Sequence, residues 1–340
     1  MKKMNAIGFK RSLPISEKDS FIAFDTEIPT PTGYDLLVKI EAISVNPVDY
    51  KIRQNAAKDT VLDSPKIIGW DAVGIVEAVG DTTSKFGVGD QVYYAGDITR
   101  SGSNAEYQLI DERIVGHKPK NISIAEAAAM PLTSLTAYEA LFDRIRIDAE
   151  KDKGKSVLIL AGAGGVGSIA IQLAKKLANL TVIATASRED SIKWCIDLGA
   201  DFVVNHHNLK EELEKIGYNQ VDYILDFVDL EGYWEMATEI IKPQGHIVSI
   251  TGSSKPLNLN LLKNKSVTFS WELMYTRSMY TTEDIERQHD ILNHVAQLLD
   301  EGILKSTLNT TLYGFTVENL KYAHEMQESG KSIGKTVILY

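Results

Sequence analysis

Ser156-Val157-Leu158-Ile159-Leu160-Ala161-Gly162-Ala163-Gly164-Gly165-Val166-Gly167 is the stretch that decides the fold of this chain. Val157 to Ala161 is a continuous apolar run of strand length, and the glycines at 162, 164 and 167 have G-x-G-x-x-G spacing. From Ser168 to Ala178 apolar residues recur at helical spacing, with Asn179 suited to end the helix. A glycine triplet alone is a weak signal; between a strand and a helix it reads as a phosphate cradle. Gly162 allows the tight turn, Gly164 lets a diphosphate approach the backbone, and Gly167 lets the helix pack close. The free amides of Gly165, Val166 and Gly167 and the helix dipole then face the anion. The alternative is a ligand-free turn, which the surrounding pattern disfavours.

Downstream, strand and helix alternate: strands are expected at 180–186, 202–204, 221–228, 246–250 and 267–271, and helices at 188–198 and 231–241. Continuous apolar strands alternating with helices mean a doubly wound parallel sheet of six strands, an α/β Rossmann architecture. Upstream of residue 128 the texture differs. Short alternating runs such as Leu36 to Ala42, Ala72 to Val79 and Gln91 to Tyr94 are broken by glycines and read as a small β-rich domain. The tail carries expected helices at 282–299 and 315–330 and a strand at 335–339, and is expected to complete the first domain. The predicted division is therefore 1–128 with 278–340, and 129–277. A length of 340 residues favours two domains in any case.

The balance of 36 basic and 46 acidic residues, a net charge of −10, disfavours nucleic acid as a partner. The single cysteine, Cys195, lies in an apolar-periodic helix, where it reads as a small buried hydrophobe, and no multi-cysteine metal knot can form. The N-terminal stretch from Met1 lacks the apolar run of a signal peptide, and no segment approaches a membrane span. A cytoplasmic location is expected.

The end of the second strand of the sheet chooses the dinucleotide. NAD-binding chains usually place a carboxylate about 20 residues beyond the glycines. Here Ser187-Arg188 stands there, and a hydroxyl with a guanidinium suits a 2′-phosphate, so NADP(H) is the expected cofactor. Glu189 and Asp190 follow directly, so a shift of two residues would reverse that reading.

Four further segments carry a family resemblance: Asn46-Pro47-Val48-Asp49-Tyr50-Lys51, Gly69-Trp70-Asp71-Ala72-Val73-Gly74, Gly102-Ser103-Asn104-Ala105-Glu106-Tyr107, and Ala127 to Tyr138. Over essentially its full length the chain resembles the medium-chain dehydrogenase/reductase superfamily, in particular its quinone oxidoreductase (zeta-crystallin-like) branch. The resemblance implies a GroES-like β-rich catalytic domain beside the Rossmann domain. It also implies a homodimer paired through the last sheet strand, near Val267 to Trp271. The superfamily's zinc enzymes carry a Cys where this chain has Asn46, and a His-Glu pair where it has Trp70-Asp71. An amide and an indole are poor zinc ligands, so no metal is expected. Without a Lewis acid to hold a simple alkoxide, substrates that delocalise incoming charge are favoured, namely quinones and α,β-unsaturated carbonyls.

The resemblance places Thr136 near the nicotinamide and Asn46 and Tyr50 along the substrate cleft, as oxyanion or proton donors. His206 matches a phosphate-contacting position, and Lys335, in Gly334-Lys335-Thr336-Val337, matches a terminal motif expected on the cofactor side or in a structural role. Competing readings are a helix-interior threonine, a packed tyrosine and a surface histidine. At the level of function they are a zinc-dependent alcohol dehydrogenase, or a non-catalytic NADPH-sensing or RNA-binding protein.

Overall fold

The computed structural model describes residues 2–340; Met1, the first residue of the stretch read for a signal peptide, lies outside the described residues. The chain divides into two compact units, Met1–Leu132 with Tyr275–Tyr340, and Thr133–Met274.

The first unit opens with β1 (Lys3–Phe9), β2 (Ile22–Glu27), β3 (Asp35–Ser44), α1 (Pro47–Asn55), β4 (Lys66–Ile67) and β5 (Ala72–Val79). It continues with β6 (Gln91–Tyr94), β7 (Tyr107–Asp111), β8 (Val115–His117) and α2 (Ile124–Ala128). With α3 (Pro131–Tyr138) the chain passes into the second unit, and the 127–138 motif is two helices meeting at a proline that starts the second. The second unit alternates β9 (Ser156–Ile159), α4 (Gly165–Lys176), β10 (Thr181–Thr185), α5 (Glu189–Asp197), β11 (Phe202–Val204) and α6 (Leu209–Lys215). It ends with β12 (Val221–Asp226), α7 (Leu230–Ile240), β13 (Ile241–Ser249), α8 (Asn260–Lys263) and β14 (Thr268–Trp271). The chain then returns to the first unit with α9 (Thr276–Tyr280), α10 (Arg287–Asp300), β15 (Leu308–Tyr313), α11 (Val317–Glu328) and β16 (Lys335–Leu339).

The six strands of the second unit run in the order β11-β10-β9-β12-β13-β14, every pair parallel. The order reverses at β9, and in such sheets ligands bind beyond the carboxyl ends of the strands at that point. The core beneath is continuous and apolar, with Leu158, Ile183, Ile224, Ile247 and Trp234 all buried. In the first unit β16 lies between β15 and β3, pairing Val337 with Ser44. That register brings the start of β16 to the end of β3.

The expected helix at 282–299 begins at Arg287 instead. Thr281 takes a left-handed backbone (φ 45°), and Asp284 is held by Arg277 at 2.9 Å and Thr282 at 2.7 Å, which stabilises turns over the first residues of the expected span. Among the described residues no helix is long and apolar enough to cross a membrane.

Candidate functional site

The glycine turn is stitched to the neighbouring strand. Thr185, the last residue of β10, accepts the Ala161 N–H on Oγ1 (2.9 Å) and the Gly162 N–H on its carbonyl (3.0 Å). The left-handed residue of the turn is Ala161 (φ 58°), and Gly162 does not take a positive φ. Gly162 is required for a different reason: a Cβ there would lie 2.7 Å from Ala184 Cβ. At Gly167 a Cβ would meet Ala161 O at 2.3 Å and Gly162 Cα at 2.7 Å, the close helix–strand packing expected of that position. Gly164, the residue before α4, behaves otherwise. A Cβ there would meet only Ala161 O, at 3.3 Å, so this face of the backbone stands open. A cradle that a methyl group would fill, at the start of a twelve-residue helix, fits a diphosphate.

Ser187 and Arg188 are exposed directly beyond β10, and His206 is half-buried just beyond the adjacent β11. Ala186 N–H donates to Val204 O (3.1 Å), which holds those two strand ends together. The structure thus brings Ser187, Arg188 and His206 to one sheet edge, one strand from the glycine turn. Trp194 on α5 donates to Ser168 Oγ on α4 at 2.8 Å, which ties the helix that follows Arg188 to the cradle helix. Sequence reading passed over that bond. His206 packs against His207 with ring centres 4.0 Å apart and the rings tilted by 40°. Partial burial, then the neighbouring imidazole, holds it below the usual histidine range. Cys195 is buried, its thiol pushed up to about 12 by desolvation, as a structural thiol would be. Asp226 caps the turn after β12 through the N–H groups of Val228 (3.1 Å) and Asp229 (3.0 Å). Thr136 is buried within α3, which passes directly into a π-helical segment over Glu139–Ile145.

In the first unit, Asn46 stands between β3 and α1, with Pro47 preset for the first helical position. Its amide is buried and fully engaged. Nδ2 donates to Trp70 O (3.0 Å) and Asp71 Oδ2 (2.8 Å), and Oδ1 accepts from the Lys335 ammonium. Asp71 also accepts the Leu132 N–H at 2.7 Å and Lys335 Nζ at 3.0 Å. Burial raises its carboxyl, and Lys335 and Asn46 pull it back. Asp49 accepts the Asn46 N–H at 2.6 Å, and burial pushes its carboxyl up to about 7. Lys335, expected on the cofactor side or in a structural role, spends its three N–H groups on Val45 O (3.2 Å), Asn46 and Asp71.

Among the buried polar atoms of this unit without a hydrogen-bond partner are Asp49 Oδ1, Trp70 Nε1 and Tyr275 OH. Burial, then the charges of Asp49, Asp71 and Asp97, keep the Tyr275 phenol protonated. Tyr50 is half-buried, and its phenol too is raised by burial and by Glu328. Trp70 and Tyr275 were not anticipated as donors. A tryptophan at a ligand position was read only as a poor ligand, and no motif surrounds Tyr275.

Residues 32–135 match the alcohol dehydrogenase GroES-like domain and residues 165–293 the zinc-binding dehydrogenase family. A zinc-type alcohol dehydrogenase-like protein of Staphylococcus epidermidis is 46% identical over 338 residues, 98% of this chain and 99% of that one. The chain belongs to the medium-chain dehydrogenase/reductase superfamily.

Among other members of the superfamily, a 2-methylene-furan-3-one reductase of Solanum lycopersicum is 33% identical over 319 residues, 92% of this chain and 73% of that one. Among solved structures, a putative zinc-dependent alcohol dehydrogenase from Rhizobium etli CFN 42 superposes with a TM-score of 0.94 at 43% identity, over 100% of this chain and 99% of that one. The Escherichia coli quinone oxidoreductase complexed with NADPH superposes with a TM-score of 0.82 at 25% identity, over 99% and 100%. The chain is thus a medium-chain oxidoreductase, and "zinc-type" is a name its relatives carry.

This chain's donors do not fit a zinc ion. Of the three ligand positions, Asn46 is an amide locked by Trp70 O, Asp71 and Lys335, and Trp70 is an indole. Asp71 already holds an amide, a backbone N–H and an ammonium. Among the described residues no group of three or more His, Cys, Asp or Glu side chains converges to hold a metal.

Proposed function

We propose that the protein is an NADPH-dependent oxidoreductase that delivers hydride to a quinone or an α,β-unsaturated carbonyl without zinc. The observation that carries this reading is the open glycine cradle with Arg188 one strand away, in a chain whose ligand positions are filled by an amide, an indole and a paired carboxylate. On this reading residues 129–277 bind the dinucleotide and 1–128 with 278–340 handle the substrate.

When bound, the dinucleotide supplies a hydride. Gly162, Gly164, Gly165, Val166 and Gly167 hold its diphosphate, and Ser187, Arg188 and His206 take the 2′-phosphate. Thr136 is assigned to the nicotinamide side. Asn46, its amide fully engaged, positions α1 and Asp71, whereas Tyr50, Trp70 and Tyr275 have protons to offer a substrate oxygen. Protonated phenols can stabilise the charge that builds on an enone or quinone oxygen. The relatives named as an enone-type reductase and a quinone oxidoreductase support this substrate class. NADPH oxidation against a panel of enones, quinones and simple alcohols tests the reading: turnover with the first two and not the third is expected, unchanged by chelator. Activity restricted to alcohols would overturn it.

Replacing Arg188 by Glu should invert the cofactor choice. Loss of a charge-assisted contact to the 2′-phosphate, plus repulsion, is worth about 3 kcal/mol, or roughly a hundredfold in the NADPH-to-NADH ratio of kcat/KM. An unchanged ratio would place the 2′-phosphate elsewhere.

We further propose a homodimer through β14. This strand forms one end of the six-stranded order, and Trp271 (52% exposed) and Leu273 (47%) lie on or just after it. Light scattering should give a dimer for the natural chain and a monomer for Trp271→Lys; a monomeric natural chain would contradict this.

A further inference from the structure

Lys335 is the first residue of β16 and is 2% exposed. Its ammonium reaches Val45 O, Asn46 Oδ1 and Asp71 Oδ2, three acceptors for three N–H groups. Two of these partners, Asn46 and Asp71, stand where the superfamily's zinc enzymes carry metal ligands, and the third is the carbonyl of the residue before Asn46. One nitrogen therefore bonds to two of the three ligand positions. A buried carboxylate without a counter-charge is strongly destabilising, so Asp71 needs a cation there, and in this chain the cation is covalently attached.

We propose that Lys335 is the resident cation of this site: its ammonium takes the electrostatic part of a metal ion, fixing Asn46 and Asp71, and excludes divalent ions. A divalent ion entering would meet a fixed positive charge at contact distance in a dry interior, and would have to take Asp71 from it. Asn46 and Lys335 thereby become positioning residues. The inference rests on the metal-free reading of the donor set. It does not depend on which dinucleotide or substrate is used, and metal content reads it out without turnover.

The test restores metal ligands with and without the lysine. Asn46→Cys with Trp70→His, Lys335 retained, should hold little zinc after zinc loading and desalting. Adding Lys335→Met should raise the content to about one zinc per chain, and cobalt should give the visible absorption of a thiolate site. Equal zinc content in the two proteins would overturn the proposal, as would stoichiometric zinc in the natural chain.

If the multiple variants do not fold, a thermal cycle decides. Lys335→Met alone should lower Tm by roughly 5–10 °C, because it strands a buried charge. Adding Asp71→Asn should recover at least half of the loss, because the stranded charge is gone. Losses that simply add would overturn the proposal. Whether enones are reduced is a separate measurement, so failure here and failure of the functional reading are distinguishable.

Discussion

Gly167→Ala should melt well below the natural protein and bind no dinucleotide, whereas Gly164→Ala should melt normally and still bind poorly. The two glycines lie within one turn but meet different surroundings. A Cβ at 167 would lie 2.3 Å from a backbone oxygen and 2.7 Å from a backbone carbon, and no side-chain rotation relieves that. Overpacking of this kind costs about 3 kcal/mol, and here it also displaces the helix start that presents the amides. A Cβ at 164 meets one oxygen at 3.3 Å, so the fold tolerates it. The methyl group would occupy the space a diphosphate needs, and affinity should fall by at least about tenfold, or 1.4 kcal/mol. Differential scanning fluorimetry with and without NADPH separates the two effects. Normal NADPH binding by Gly164→Ala would remove the cradle from the account.

Acid should destabilise the first unit through His324, and His324→Phe should remove much of that sensitivity. The ring is fully buried on α11, packs edge-on against Phe21 at 4.9 Å, and has neither nitrogen hydrogen-bonded. Burial, then the nearby Arg53 guanidinium, lowers its pKa from 6.5 to about 3. Between those values the unfolded chain binds a proton that the folded chain refuses. The neutral ring therefore costs nothing above pH 6.5, and stability falls as pH drops from 6.5 toward 3. At pH 5 the loss from this one group is about 2 kcal/mol, at 1.36 kcal/mol per pH unit. Urea unfolding at pH 7 and pH 5 reads it directly. The natural protein should lose about 2 kcal/mol more than His324→Phe on acidification; equal losses would mean that the ring is reached by solvent or protonated in place.

The sheet of the second unit was legible because its strands are buried on both faces and so appear as unbroken apolar runs. The glycine turn was legible because strand, turn and helix are contiguous in sequence. Two local details were not. The left-handed residue is Ala161, a non-glycine position that the glycine spacing does not mark, held by hydrogen bonds to Thr185. The helix expected at 282–299 starts at Arg287, because side chains in the preceding segment hold it in turns. In the candidate site the limit was distance along the chain. Lys335 meets Asn46 and Asp71 only because β16 pairs with β3 in one register, and no local period encodes that pairing. The terminal Gly-Lys motif marked Lys335 as notable without saying what it touches. Tyr275 left no mark at all, since a lone tyrosine between a strand and a short helix has no pattern to distinguish it.

The central claim is that hydride passes from a dinucleotide held at the glycine cradle to a substrate carbon with no metal taking part. Deuterium tracing tests it most directly, with protein freed of metal by chelator, NADPH deuterated at C4, and a simple enone. The account predicts one deuterium at the β-carbon of the product, at the same rate before and after chelation. Loss of transfer on chelation with recovery on adding zinc, or turnover that leaves no deuterium on carbon, would contradict it.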